Sequence, residues 1–167
     1  LENSLARFVL GIHNLSTSSI KVGESVPVSL RSIAERRRIV VEQECMALLN
    51  RFGTFSFRFL KIKRASVGAV SESMIGMFRE AFFVSSGVET VGGYCKNVNS
   101  FLTWLCPIVN IEALSEFEVG AFLRDCRQRG IHVAARHRYS LIWAEKVYKV
   151  KLFADDEVAV CMCGGWA

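Results

Sequence analysis

Residues 89–152 hold three amphipathic segments separated by two short breaks, and no other stretch limits the fold so tightly. Pro107 lies in the first break and Gly130 forms the second. The middle segment is the most legible. Ser115-Glu116-Phe117-Glu118 has the form of a capping box, with Ser115 as N-cap and Glu118 at the third helical position. Val119, Phe122, Leu123 and Cys126 then recur at helical spacing as a buried stripe, and Gly130 ends the segment. Arg124, Arg127 and Arg129 fall off that stripe in the last turns, where cations also favour the helix dipole. The segment before it is expected to start at a Thr90 cap and to bury Val91, Tyr94, Cys95, Val98, Phe101, Leu102 and Leu105. Gly92 and Gly93 in its first turn each lower helix propensity by about 1 kcal/mol relative to alanine, and they permit close helix packing. The last segment, about residues 132–149, is expected to bury Val133, Ile142, Trp143 and Val147. Arg136, His137 and Arg138 cluster near its start, where positive charge opposes the dipole, and such ends often contact phosphate.

Upstream the signals are weaker. Residues 1–28 mix a serine-rich run with Gly23 and Pro27 and read as an arm or linker. Ser29 is a candidate cap for a helix over residues 30–51, with Ile33, Val40, Val41, Met46, Leu48 and Leu49 inward and Gly53 as its stop. Arg36, Arg37 and Arg38 lie within it, and at about 100° per residue they cannot all face one partner. A solvated face is the better reading of that run. Residues 54–63 fit either period, since Phe55, Phe57 and Phe59 alternate while Phe52, Phe55, Phe59 and Ile62 share a helical face. Helix is preferred, because no nearby strand offers pairing. The interleaved aromatic and basic residues Phe55, Phe57, Arg58, Phe59, Lys61, Lys63 and Arg64 could bind single-stranded RNA by stacking on its bases, but a core stripe is the stronger reading. Residues 65–70 look like a linker. Ser71 is expected to cap a helix reaching about Ser85, with Met74, Met77, Phe78, Ala81 and Phe82 inward.

Composition sets the class. Of 167 residues, 51% are apolar, 22% are charged and only two are proline, which suits a packed domain rather than a disordered chain. No apolar run nears the roughly 18 residues of a membrane span, and no signal-peptide pattern is present. Because the first residue is Leu1, we read the chain as a fragment of a longer product. The net charge of +5 is uneven. Residues 31–64 carry nine basic against three acidic residues, residues 96–151 nine against five, and the tail only Asp155, Asp156 and Glu157. Clustered arginine suits a polyanion. The six cysteines show neither a paired nor a zinc-finger spacing, so no metal or other cofactor is expected, and a reduced, intracellular protein is the simplest account. Cys45, Cys95 and Cys126 lie on apolar stripes, where cysteine acts as a small hydrophobe. Cys161-Met162-Cys163 makes a poor soft-metal site.

The order of elements resembles the N-terminal core-binding domain of tyrosine recombinases, the phage-integrase-like proteins of mobile elements. Thr90, Tyr94 and Phe101-Leu102-Thr103-Trp104 stand where that family opens and closes one helix. Ser115–Val119, Phe122-Leu123 and Arg129-Gly130 match its capped helix, and Leu141-Ile142-Trp143-Ala144-Glu145-Lys146 its final one. The likeness covers about residues 71–156 and rests on helix order and degenerate apolar positions. It implies an all-α, SAM-like bundle of four to five helices over residues 71–153, preceded by a helical extension (residues 29–70) and followed by an acidic tail or linker (residues 154–167). It implies a grip on double-stranded DNA, at the nucleus or nucleoid, beside other recombinase protomers, with no membrane and no small-molecule substrate. Lys96, Asn97, Arg124, Arg127, Arg129, Arg136, Arg138 and Lys149 become the candidate DNA contacts, and Asn97 and Asn99 could read an adenine edge if their helix enters the major groove.

The family's chemistry resides in a second domain, and no catalytic residue is assigned in this chain. His132 and Arg136 mimic its histidine–arginine box, but their spacing is four rather than three and no further catalytic arginine segment surrounds them. The competing reading is an all-helical protein–protein interaction module of adaptor type. The two differ in salt dependence, because phosphate binding weakens steeply as salt rises.

Overall fold

The capping box forms as its residues dictate. In the computed structural model, which describes residues 32–64 and 69–164 (side chains of 69–71 excepted), the Ser115 N–H donates to the Glu118 carboxylate at 2.8 Å and the Ser115 hydroxyl pairs with the same group. Those bonds, the hydroxyl's first, hold the Glu118 carboxyl below its ordinary range. The stability they contribute is present above the ordinary glutamate range and lost as pH falls through the lowered folded value. Ser115→Ala is therefore expected to flatten the acid limb of a stability–pH profile, and an unchanged profile would show the cap to be inert.

All the regular structure of the described residues is helical, with no strand. In chain order the helices are α1 (Ile33–Phe52), α2 (Phe57–Arg64), α3 (Ala69–Ala81), α4 (Val88–Leu105), α5 (Glu116–Arg129), α6 (Ile131–Tyr148) and α7 (Glu157–Met162). Single 3-10 turns lie at Gly53–Phe55 and Ile111–Ala113. The expected all-α class is thus observed, and the ambiguous residues 57–64 are helical.

The centre is the trio α4, α5 and α6. Val91, Cys95, Val98, Phe101, Leu102 and Leu105 of α4 are buried, as are Val119, Phe122, Leu123 and Cys126 of α5. Tyr94 meets Trp143 at 5.4 Å between ring centroids and Asn97 meets Ser140 at 2.9 Å, so α4 and α6 run antiparallel. The start of α4 differs from expectation. Gly87 is its N-cap and Thr90 lies inside the helix. At Gly92 α1 comes close: a Cβ there would stand 3.0 Å from the Arg37 guanidinium and 3.2 Å from a Val41 methyl, whereas one at Gly93 would meet nothing. The last helix is turned relative to its expected phase. Trp143 is buried as predicted, but Val133, Ile142 and Val147 sit half-buried, while Ala134, His137, Ser140, Leu141, Ala144 and Tyr148 face inward. The inward face thus mixes polar and apolar residues, and a search for apolar periodicity cannot follow it.

Helix α1 is part of this core, not an extension attached to it. Val41, Cys45, Met46, Leu48, Leu49 and Phe52 are buried in the same cluster as the α4 residues. Its cap is Ser32, whose Oγ accepts from the Glu35 N–H at 3.1 Å. Ser29 lies outside the described residues. Ile33 (79% exposed) and Val40 (44%), expected inside, point outward. The three arginines diverge as the helical angle requires. Arg36 is exposed, Arg37 pairs with Glu89 at 3.0 Å, and Arg38 lies over the Phe83 ring at 4.7 Å. Gly53 (φ 55°) ends the helix, with its N–H bonded to the Leu49 carbonyl.

Residues 56–59 are stitched to the end of α6. Ser56, fully buried, donates to the Tyr148 carbonyl at 2.5 Å and accepts from the Phe59 N–H, while the Phe57 N–H donates to the Lys149 carbonyl at 3.1 Å. Helix α3 spans a shifted window. It begins before Ser71 and ends at Ala81, and it buries Ile75, Phe78 and, just past its end, Phe82. Met77, expected inward, is 61% exposed. Residues 65–68 of the expected linker, like arm residues 1–28, lie outside the described residues.

The largest correction falls on residues 154–164. They are not an acidic tail but a folded closure of the bundle. Asp156 caps α7 through the Val158 N–H at 3.0 Å, and Ala154, Ala159 and Cys163 are buried. Helix α7 packs on α5 so tightly that a Cβ on Gly120 would stand 2.8 Å from a Val158 methyl. The apolar spacing of six residues was too short to be read as a helix. The final residues, 165–167, lie outside the described part.

Candidate nucleic-acid interface

The hairpin formed by α5 and α6 positions most of the candidate cations. Gly130 (φ 142°) serves both as the C-cap of α5 and as the N-cap of α6, so the two helices meet with no loop between them. Arginines from the end of one and the start of the other are thereby brought to one end of the bundle. The apolar stripes keep Cys126, Ala134 and Leu141 inside and leave Arg124, Arg127, Arg129 and Arg136 exposed.

Within that set the cations divide between two flanks. Arg129 and Arg136 lie near His137, and both depress its pKa. Burial is the larger cause of that shift; the Val133 carbonyl, 2.9 Å from Nδ1, opposes it. His137 also packs its ring edgewise on Phe122 at 5.5 Å, as part of the core. On the other flank Arg127 and Arg138 lie near Cys163, whose thiol burial raises and the two arginines lower. The Arg127 guanidinium stands 3.4 Å from where a Cβ on Gly164 would be, which places it against the end of α7.

The remaining candidates are distributed as follows. Arg138 is engaged by Asp155 at 3.4 Å, and Arg129 reaches the Cys126 sulfur at 3.3 Å. Arg136 bonds back to the His132 carbonyl at 3.4 Å, an ordinary contact one helical turn away. Lys149 holds a left-handed conformation (φ 53°) after α6, its side chain exposed and its carbonyl bound to Phe57. Asn97 is half-buried. Its amide nitrogen donates to Ser140 at 2.9 Å, and Ser140 in turn donates to the Arg136 carbonyl. Asn99 is likewise engaged, accepting from Arg51 at 2.9 Å. Each amide thus has one of its two polar atoms held by an intramolecular bond, Asn97 by its nitrogen and Asn99 by its oxygen.

Lys96 stands apart from the arginine hairpin, on a groove between α1 and α4. The groove has a volume of about 710 Å³ and is lined by Arg37, Glu44, Lys96, Ser100, Thr103 and Trp104, among others. Arg37 lines it, and Arg51 donates to Asn99 and Thr103 of its lining. Both stand on a helix whose packing partner cannot be known from local periodicity. The indole of Trp104 donates to Asp125 of α5 at 3.2 Å and packs on Phe122 at 5.5 Å, so it is a structural strut.

Among the described residues no group of three or more histidine, cysteine or carboxylate side chains could hold a metal, and no helix is long and apolar enough to cross a membrane. Comparison with known proteins adds no relative: no family model, no curated protein and no solved structure matches the chain.

Proposed function

We propose that this chain is a helical module that binds duplex DNA through its phosphates, in the manner of the core-binding domain of a tyrosine recombinase. One observation carries the reading. Lys96, Arg124, Arg127, Arg129, Arg136 and Lys149 are all exposed, and none is ion-paired to a carboxylate among the described residues. Positive charge left uncompensated on a chain of net +5 draws polyanions, and release of their counterions drives the association. Arg129 and Arg136, on either side of the loopless turn at Gly130, both lie near His137. With Asn97 and Asn99 engaged internally, the contacts are to backbone rather than to base edges, so affinity should depend little on sequence.

The test is binding to a fluorescent duplex across a salt series, beside the variant with Arg124, Arg127, Arg129 and Arg136 changed to alanine. Loss of four phosphate contacts should lower the log–log salt slope by roughly 3.5 and weaken low-salt binding at least about tenfold. Circular dichroism would establish that the variant remains folded. Absence of low-salt binding by the folded protein overturns the proposal, and so does a salt slope unchanged in the variant. An association that salt leaves unaltered belongs instead to an apolar protein interface.

A further inference from the structure

Where α1 crosses α4, two thiols from residues 50 positions apart touch: Cys45 Sγ lies 3.3 Å from Cys95 Sγ. Both cysteines are free, and both are buried. An S–S bond of about 2.04 Å would need an approach of roughly 1.3 Å from that separation. The surrounding cluster is aliphatic and aromatic, with Val41, Leu48, Val91 and Val98 buried on the same helices, so each sulfur has the other as its polar partner. Cysteine commonly serves as a small core hydrophobe, and one such residue would carry no inference. Two of them in contact across a helix pair are a dithiol.

We propose that Cys45 and Cys95 form a redox site, a dithiol that a small-molecule disulfide converts to a buried cross-link between α1 and α4. In the first step the thiolate of one cysteine attacks a sulfur of oxidised glutathione, forming a mixed disulfide and releasing one glutathione thiolate. The thiolate of the second cysteine then attacks the protein sulfur of that mixed disulfide, closing the Cys45–Cys95 bond and releasing the second glutathione. Two protein thiols are oxidised, one glutathione disulfide is reduced, and the two thiol protons pass to the departing glutathiones.

The same geometry sets the rate. The hydrogen bond with Cys95, and then burial, hold the Cys45 thiol above its ordinary range, and both sulfurs are shut off from solvent. The Tyr148 hydroxyl donates to the Cys45 carbonyl at 2.7 Å and pins the backbone at that position. Oxidation must therefore proceed through a transient separation of α1 from α4, and mild denaturant should accelerate it. Once closed, the bond ties a loop of 50 residues and constrains the unfolded chain.

The experiment uses the full chain with the exposed thiols removed (Cys106→Ser and Cys161→Ser), equilibrated with oxidised and reduced glutathione, with and without sub-denaturing urea. Mass spectrometry should show loss of two hydrogens, and peptide mapping should show Cys45 joined to Cys95. The melting temperature of the oxidised form should rise by roughly 10 °C and return on reduction. Adding Cys95→Ala should abolish both the mass change and the rise. Mapping that finds Cys45 and Cys95 as separate thiols or as glutathione adducts after equilibration overturns the proposal, as does a linkage that lowers the melting temperature. Because mapping is done on the unsubstituted pair, a poorly folded Cys95→Ala variant would not shield the proposal.

Discussion

Tyr148→Ala should destabilise the fold by about 4 kcal/mol, the largest single-residue loss expected in this molecule. Tyr148 is fully buried, and its ring lies 5.1 Å from Phe52, 5.9 Å from Phe78, 6.0 Å from Phe82 and 5.7 Å from Trp143. These neighbours come from α1, from α3 with the residue just beyond it, and from α6, so truncation leaves a cavity bounded by separate elements that cannot all collapse into it. Backbone groups on either side of the ring depend on the same residue. The phenol donates to the Cys45 carbonyl, and the Tyr148 carbonyl accepts from Ser56. Tyr148→Phe keeps the ring and loses only the phenol bond, at a cost of about 1 kcal/mol. Urea unfolding followed by circular dichroism measures both. A loss below about 2 kcal/mol for the alanine variant would mean that the site repacks and that the aromatic cluster is not the centre of the core.

The second large effect is at Glu145. Its Oε1 accepts from the N–H groups of Leu152 at 2.7 Å and Ala154 at 3.1 Å, and both of those residues are completely buried. These amides belong to no helix, so no ladder satisfies them. Glu145→Ala leaves two buried donors unpaired and is expected to cost about 3 kcal/mol. Glu145→Gln retains an oxygen at the same place and should lose less than half as much. Native-state hydrogen exchange at Leu152 and Ala154 reads the effect directly, with protection falling in the alanine variant and largely kept in the glutamine one. Protection unchanged in the alanine variant would show that the segment is held by α7 packing alone. The point bears on function, since this turn carries Asp155 to Arg138 and decides whether that guanidinium is committed or available to a phosphate.

Local rules were enough for the elements whose signals are local. The Ser115–Glu118 box, the α5 stripe, the stop at Gly53 and the divergence of Arg36, Arg37 and Arg38 each follow from spacing within one helix, and each is observed. The all-helical class follows for the same reason, because apolar residues recur at three and four through most of the chain. What failed did so where burial depends on a partner elsewhere in the chain. Ile33 and Val40 look as apolar as Val41, and only the position of α4 turns one inward and the others out. His137 and Ser140 are buried because Val133, Phe122, Asn97 and the Arg136 carbonyl receive them, a condition invisible to a hydrophobic pattern.

The candidate interface shows the same division. That Arg124, Arg127 and Arg129 would be outside was settled by the stripe they fall off. Whether each cation has a partner was not. Asp155 reaches Arg138 only because residues 154–164 fold back onto α5, and Asn97 is engaged only because α6 runs antiparallel beside α4. By itself the sequence determined helical class, helix caps and the outward cations, since these rest on interactions within a few residues. The tertiary structure alone decided the register of α6, the closure by α7, the pairing of Cys45 with Cys95 and which charges stay uncompensated. Each of those is a contact between residues far apart in the chain, and no local spacing encodes it.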